Sequence, residues 1–251
     1  MIEAVLFDLD DTLLSNPMTR FLARYFALLG QYVGRQMDRR LFQQALLSST
    51  QVMIANTDPS TLNKDAFWAS FQAQTGQKRD DFAPFIAAFY RDEFSRLQPE
   101  TQRRPAAAAL VRACFDMGLK VVIATNPVFP QRAIEQRLAW AGVPVDKYPF
   151  SLVTTYDNMH ACKPHTVYYE EILTRIERRP EAALMVGDNW HNDIAPAARL
   201  GLHTFWVATN DMPLPDAAVS VSGRGTLDDL YHLVRSGWLQ QLCTGGETGG
   251  V

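Results

Sequence analysis

The spacing of apolar positions along this chain changes twice, and each regime predicts a different kind of element. At the start, Ala4, Val5, Leu6 and Phe7 run without interruption and stop at Asp8, Asp10 and Asp11, with Thr12 closing the group. So short a run, ended by acids, predicts a strand buried on both faces rather than a helix. Helical spacing follows. Phe21, Leu22, Tyr25, Phe26, Leu28, Leu29, Tyr32 and Val33 after Pro17 predict one helix, and Leu41, Phe42, Ala45, Leu46, Val52 and Met53 a second. Asn63 is placed to cap a third helix through Phe67, Trp68 and Phe71, ending at Gly76. Asp80 and Asp81 precede a fourth through Phe82, Phe85, Ile86, Phe89, Phe94 and Leu97, with Pro84 in its first turn. From about Asn16 to Glu100 only helices are expected, and their aromatic residues are read as the core of a small bundle.

From Pro105 the two spacings alternate. Helices are predicted over Ala106–Met117, Gln131–Ala141, a segment started by Lys163-Pro164 and stopped by Pro180, Ile194–Leu200, and Thr226–Val234. Strands are predicted over Leu119–Ala124, Phe150–Val153, Ala182–Val186, Leu202–Val207, and near Ala218–Val221. Alternation of this kind means right-handed crossovers and a parallel sheet. The expected class is therefore α/β: a Rossmann-like three-layer α/β/α core with a parallel sheet, plus a helical bundle inserted after the first strand. Residues 1–15 and 101–251 would form the core and 16–100 the insert, with the Gly-rich stretch Thr244–Val251 disordered.

Bulk properties narrow the partners. A length of 251 residues is enough for one large domain or a domain with a substantial insert, and 47% apolar residues support a real core. A net charge of -3 supplies no global basic field, so neither a nucleic-acid polymer nor a membrane is expected as partner. Mean hydropathy is -0.14 and no apolar run reaches membrane-spanning length, as expected of a soluble protein. Cys114, Cys162 and Cys243 have neither a pairing nor a metal-binding spacing, which fits a reduced cytoplasm. The chain enters its acidic strand at once, so no cleaved leader is expected.

In a parallel sheet the carboxyl ends of all strands share one edge, where such folds hold their ligands. Asp8 and Asp10, two apart, should share one side, with Asp11 pointing elsewhere. The second strand brings Thr125 and Asn126, the loop after the third Lys163, the fourth Asp188, and the next helix start Asp193. Each has an ordinary reading alone: Thr125-Asn126-Pro127 as a turn, Lys163 as a surface lysine, Asp193 as a helix cap. Together, Asp8, Asp10, Asp188 and Asp193 face one amine and cannot all ionise without a cation. An oxygen-only donor set favours Mg²⁺, and nothing suggests zinc. Mg²⁺ beside a lysine, a threonine hydroxyl and helix N-termini makes a phosphate site.

These motifs resemble those of the haloacid-dehalogenase-like superfamily, in its Mg²⁺-dependent, C1-capped phosphatase branch. Asp8-Leu9-Asp10-Asp11-Thr12 corresponds to the first motif, Thr125-Asn126 to the second, Lys163-Pro164 to the third, and Gly187 to Asp193 to the fourth. The helical block at 16–100 is similar to the C1 cap. The resemblance implies Asp8 as nucleophile, forming an aspartyl-phosphate, and Asp10 as general acid and then base. It implies a metal held by Asp8, the Asp10 backbone carbonyl and Asp188, with Asp193 supporting the metal or holding Lys163. Thr125, Asn126 and Lys163 would bind the substrate phosphoryl group, and Thr125 and Lys163 would also assist its transfer. The substrate class is a small phosphorylated metabolite: a sugar phosphate, a nucleotide or a phospho-acid. A phosphomutase of the same fold and a catalytically silent binding protein remain alternatives; a dehalogenase has no use for Asp10 or the metal acids. For the leaving group, Ser15, Asn16, Arg20, Tyr156, Asp157, His160, Trp190 and His191 are candidates, and Cys162 beside Lys163 is read as an inert thiol.

Overall fold

The computed structural model describes residues 1–209 and 211–242; Cys243 and Thr244–Val251, for which disorder was expected, lie outside them. Strand β1 (Ala4–Phe7) is fully buried and central in a six-stranded sheet. On one side it pairs with β4 (Lys120–Ile123) and then β5 (Leu152–Val153); on the other lie β6 (Ala183–Gly187), β7 (His203–Val207) and β8 (Gly223–Gly225). Every pairing is parallel. The continuous apolar run of β1 now has its reason. Val5 and Phe7 pack with Leu110, Ile134, Leu138 and Leu230 on one face. Ala4 and Leu6 pack with Tyr168, Ile172 and Leu173 on the other. Helices α5 (Pro105–Asp116), α6 (Gln131–Ala141) and α9 (Leu227–Arg235) thus cover one face, and α7 (Thr166–Arg175) with α8 (Ala195–Arg199) the other. This is the expected Rossmann-like three-layer arrangement.

Between β1 and α5 the chain forms β2 (Leu14–Ser15), α1 (Met18–Val33), α2 (Arg39–Ala55), α3 (Asn63–Thr75), α4 (Arg79–Asp92) and β3 (Gln102–Arg103). Beyond α9 lies α10 (Trp238–Gln241). Strands β2 and β3 pair antiparallel, so the chain leaves and returns to the core side by side. These two-residue strands have no readable period, and Gln102 and Arg103 are exposed. The four helices carry buried aromatics, including Phe21, Phe71, Phe82, Phe89 and Phe94, meeting in edge-on and stacked pairs.

Several boundaries differ from expectation for identifiable reasons. Phe94 and Leu97 sit in a separate 3₁₀ turn, Phe94–Glu100, which contains Pro99. Pro84 is inside α4 rather than in its first turn. Asn63 opens α3 without capping it; its Nδ2 instead donates to the Ala161 carbonyl (3.2 Å) and Cys162 Sγ (3.4 Å). Lys163 and Pro164, joined by a cis peptide, precede α7, which begins only at Thr166 and ends at Arg175, well before Pro180. The last strand is Gly223–Gly225 rather than Ala218–Val221. Val219 and Val221 pack beside Trp190 and Trp206, while the Gly-Arg-Gly strand pairs its backbone with β7.

Helix α6 ends as the sequence suggests, on Gly142 in the left-handed region at φ 84°. A Cβ there would meet only the mobile end of Arg103, so the backbone angle sets the penalty. Gly142→Ala should cost about 1–2 kcal/mol, read as a matching fall in unfolding free energy in urea titrations.

Candidate active site

The strand order reverses around β1: the chain first builds outward through β4 and β5, then returns to build outward through β6, β7 and β8. That switch point is where such sheets bind ligands. Register keeps the ends level, because Phe7 lies opposite both Ile123 and Val186. Asp8 donates its amide to the Val186 carbonyl (2.9 Å), and Ala124 donates to that of Phe7 (2.7 Å), carrying the pairing to the rim. A cavity of about 500 Å³ opens there, bordered by Asp8, Asp10, Asp11, Thr125, Asn126, Lys163, Asp188 and Asp193. All seven expected site residues therefore meet in one place, and Asp11 joins them.

At its floor lies a buried ion triad. Lys163 Nζ donates to Asp8 Oδ1 at 2.8 Å and to Asp193 Oδ1 at 2.5 Å. The second Asp193 oxygen accepts from the Asn189 amide at 3.0 Å. Asp193 therefore does not cap a helix; Asn189 does that, accepting from the amides of His191 and Asn192. Asp193 lies in a wide π turn, Trp190–Ile194, a geometry common at functional sites. Gly187 has to be glycine, since a Cβ would come within 2.3 Å of Asp193 Oδ2. Burial works against the Lys163 ammonium, but Asp193 and Asp8 outweigh it and hold its pKa well above the ordinary value.

The carboxylates show the opposite strain. Burial, reinforced by Asp193 and Asp10 and opposed by Lys163, raises Asp8 to a pKa of about 7. Burial, with Asp8 and Asp11 as neighbours, raises Asp188 to about 7 even though Thr12 bonds to it. Carboxylate oxygens of Asp8, Asp188 and Asp193 all lie within 4.8 Å of one another. One ammonium does not neutralise such a group, and an oxygen-only donor set with unmet negative charge fits a hard divalent cation. Asp188 is held in place by Thr12, whose Oγ1 donates to its carboxylate (3.2 Å) and accepts from its amide (3.1 Å), while Trp206 Nε1 donates to its carbonyl (2.9 Å).

Asp10 sits in a different environment. Its Oδ1 accepts from Asn16 Nδ2 at 2.7 Å, and its Oδ2 from Arg137 Nη1. Arg137 is completely buried, lies with its guanidinium carbon 4.6 Å over the Phe129 ring, and leaves Nε and Nη2 without hydrogen-bond partners. Arg137 is not among the residues expected at the site. Its signal was a charge on the buried stripe of α6, among Ala133, Ile134, Leu138 and Ala141. Asp11, with φ 56°, accepts the Asn16 amide at 2.8 Å and so shapes the turn while also bordering the cavity.

The Thr125 carbonyl accepts from Thr154 Oγ1 (2.7 Å) and Tyr168 (2.9 Å), and Asn126 Oδ1 accepts from the Lys163 amide (3.2 Å), which fixes that strand end. The other candidates scatter. Trp190 is buried edge-on against Trp206, 5.1 Å between ring centres. His191 is exposed, and Arg20 pairs with Glu100 at 2.6 Å on the surface. His160 pairs with Glu171 at 2.8 Å, and Asp157 accepts the Gln131 amide at the start of α6. Ser15 belongs to β2, Asn16 bonds to Asp10, and Tyr156 lines an apolar cavity that adjoins the site. Cys162 is buried and its thiol is pushed up to about 12, as expected of an inert one. No helix among the described residues is long and apolar enough to cross a membrane.

Comparison with known proteins agrees with this geometry. The ribulose-1,5-bisphosphate 5-phosphatase of Halopiger xanaduensis is 28% identical over 209 residues, covering 81% of this chain and 84% of its own. A phosphatase from Thermococcus onnurineus superposes with a TM-score of 0.57 at 19% identity, over 93% of this chain and 98% of its own. The L-2-haloacid dehalogenase of Xanthobacter autotrophicus superposes nearly as well, with a TM-score of 0.52 at 18% identity over 94% and 99%. At those identities the two structures speak for the fold alone. The family profile described as haloacid dehalogenase-like hydrolase matches residues 2–201, and the chain belongs to that family of hydrolases.

Proposed function

We infer that the chain hydrolyses a phosphate monoester of a small molecule, with Asp8 as nucleophile and Asp10 as acid and base. The observation that carries this reading is the Lys163–Asp8 pair, buried at 2.8 Å beside an aligned Asp10 at a carboxyl strand edge. The Halopiger relative's name and its near full-length match support it. A dehalogenase, which the fold alone would allow, leaves Asp10, Arg137 and Asp188 without a task. The helices at 16–100 are taken as the lid of the site.

In the first step an Asp8 carboxylate oxygen attacks phosphorus in line, the ester P–O bond breaks, and Asp10 protonates the departing oxygen. In the second, Asp10 takes a proton from the water that attacks the aspartyl-phosphate, the bond from Asp8 to phosphorus breaks, and the proton leaves with the phosphate as its monoanion, restoring both Asp8 and Asp10. Asp10 rests with both oxygens accepting hydrogen bonds, which suits the second step. The proton for the first enters with a substrate bound as its monoanion, since the second pKa of a phosphate ester is about 6. Lys163 balances charge on the phosphoryl oxygens, and Thr125 and Asn126 orient them. Asp8, Asp188 and the Asp10 carbonyl, with Asp193 behind them, would hold Mg²⁺, which when bound supplies the positive charge the acids lack.

Three outcomes follow. At pH 8, Mg²⁺ at tenfold over its Kd should raise the melting temperature by about 3–6 °C, and Asp188→Asn should abolish the rise. At pH 5.5 the rise should shrink, because carboxyls with a pKa of about 7 are then mostly protonated. Asp8→Asn, or EDTA on the wild type, should reduce release of free phosphate by at least about 1,000-fold; undiminished release in both would sink the assignment. Arg137→Gln should lower kcat/KM for an alkyl phosphate by about 10–100-fold. It should lower that for p-nitrophenyl phosphate much less, because that leaving group needs little protonation.

A further inference from the structure

A second cavity, of about 330 Å³, lies between the helices and the sheet edge. It shares Met18, Asn126, Val128 and Phe129 with the cavity around Asp8, so the two adjoin. Its other walls are apolar where those of the charged cavity are acidic. Leu22, Phe26, Leu46, Phe67, Ile86 and Tyr156 are among them, and the wall includes no Asp, Glu, Lys, Arg or His.

Several of the few polar side chains in this wall already have partners within the protein. Tyr25 and Tyr90 share a hydrogen bond between their hydroxyls at 2.7 Å. Thr50 Oγ1 donates to the Leu46 carbonyl at 2.8 Å, and Asn126 Oδ1 accepts from the Lys163 amide. An occupant rich in hydroxyls would surrender its water bonds and find few replacements. An occupant with a second phosphate would find no cation. The bisphosphate in the Halopiger relative's name is therefore a poor fit here. The rings nearby pack well where they meet, as Phe71 and Phe82 do at 5.6 Å. The space left beside them is thus not a general looseness of the bundle. An apolar void costs stability, and one that adjoins the reacting groups has the form of a ligand pocket.

We propose that the ester hydrolysed here has an apolar leaving group of about the size of an aromatic ring, seated in this chamber while its phosphate meets Asp8 and Lys163. The proposal rests on the phosphatase reading above. A substrate of this kind gains by burying apolar surface and asks the chamber for no charge. It keeps the expected small phosphorylated molecule but sets an apolar organic phosphate in place of the sugar phosphates, nucleotides and phospho-acids.

The test compares esters whose leaving alcohols have similar intrinsic reactivity. With Mg²⁺ present, kcat/KM is measured for 2-phenylethyl phosphate, hexyl phosphate, glucose 6-phosphate and ribulose 1,5-bisphosphate, with acetyl phosphate as a small activated control. The phenylethyl ester should exceed the sugar esters at least tenfold, with hexyl phosphate between. Leu46 is half-buried, so it tolerates exchange. Leu46→Glu should collapse the phenylethyl-to-glucose ratio, whereas Leu46→Met should preserve it; melting curves verify folding, and should the charged variant not fold, the wild-type panel decides alone. Sugar esters turned over as well as or better than the phenylethyl ester overturn this inference and leave the phosphatase reading standing. No turnover of any ester in the panel, nor of acetyl phosphate, overturns that reading and this inference with it.

Discussion

One buried ammonium, that of Lys163, makes the rest of this site tenable. Without it Asp8 and Asp193 would be two carboxylates in a dry pocket, and burial alone already pushes both toward protonation. Removing one partner of such a buried pair typically costs about 3–5 kcal/mol. The lysine is delivered there by a loop, not by a strand, and that loop is tied to the inserted helices. Asn63 and Lys64 donate their amides to the Met159 and Tyr156 carbonyls, and Asn56 Nδ2 donates to that of His160. The central charge of the sheet edge is thus positioned by contacts with the helices above it.

The two acids behind the proposed chemistry are held in unlike ways, and the difference matters more than their closeness in sequence. Asp8 faces an amine and two other acids in a nearly dry floor. Asp10, two residues on, is clamped by a guanidinium and an amide. A pair with one member poised against charge and the other fixed by directional hydrogen bonds is suited to two distinct roles.

How much of this was readable from the residues depends on what encodes each feature. The parallel sheet was legible because β1, β4, β6 and β7 are buried on both faces and so read as apolar runs. The site was legible because those runs end in Asp8, Thr125 and Asp188, and topology brings such ends together. Strand β8 was not, since Gly-Arg-Gly pairs through its backbone with β7 and carries no apolar run or alternation of its own. Neither was the role of Asn63, which looks like a cap locally but spends its amide on Ala161 and Cys162 of another segment. Arg137 stood in plain view as a charge on an apolar stripe, but the partner that explains it is 127 positions away. Long-range pairings of this kind leave only an anomaly in the sequence, without saying what resolves it.

The antiparallel pairing of Leu14–Ser15 with Gln102–Arg103 has a consequence for how this chain can change over time. The inserted helices leave and rejoin the sheet at adjacent points, so the core meets them as a closed loop whose ends are already together. The entropy of closing such a loop grows only with the logarithm of its length. The same doorway could therefore admit a longer, shorter or wholly different insert at little expense to the core. Its successors would inherit the charged edge intact, provided they still fasten the loop that carries Lys163.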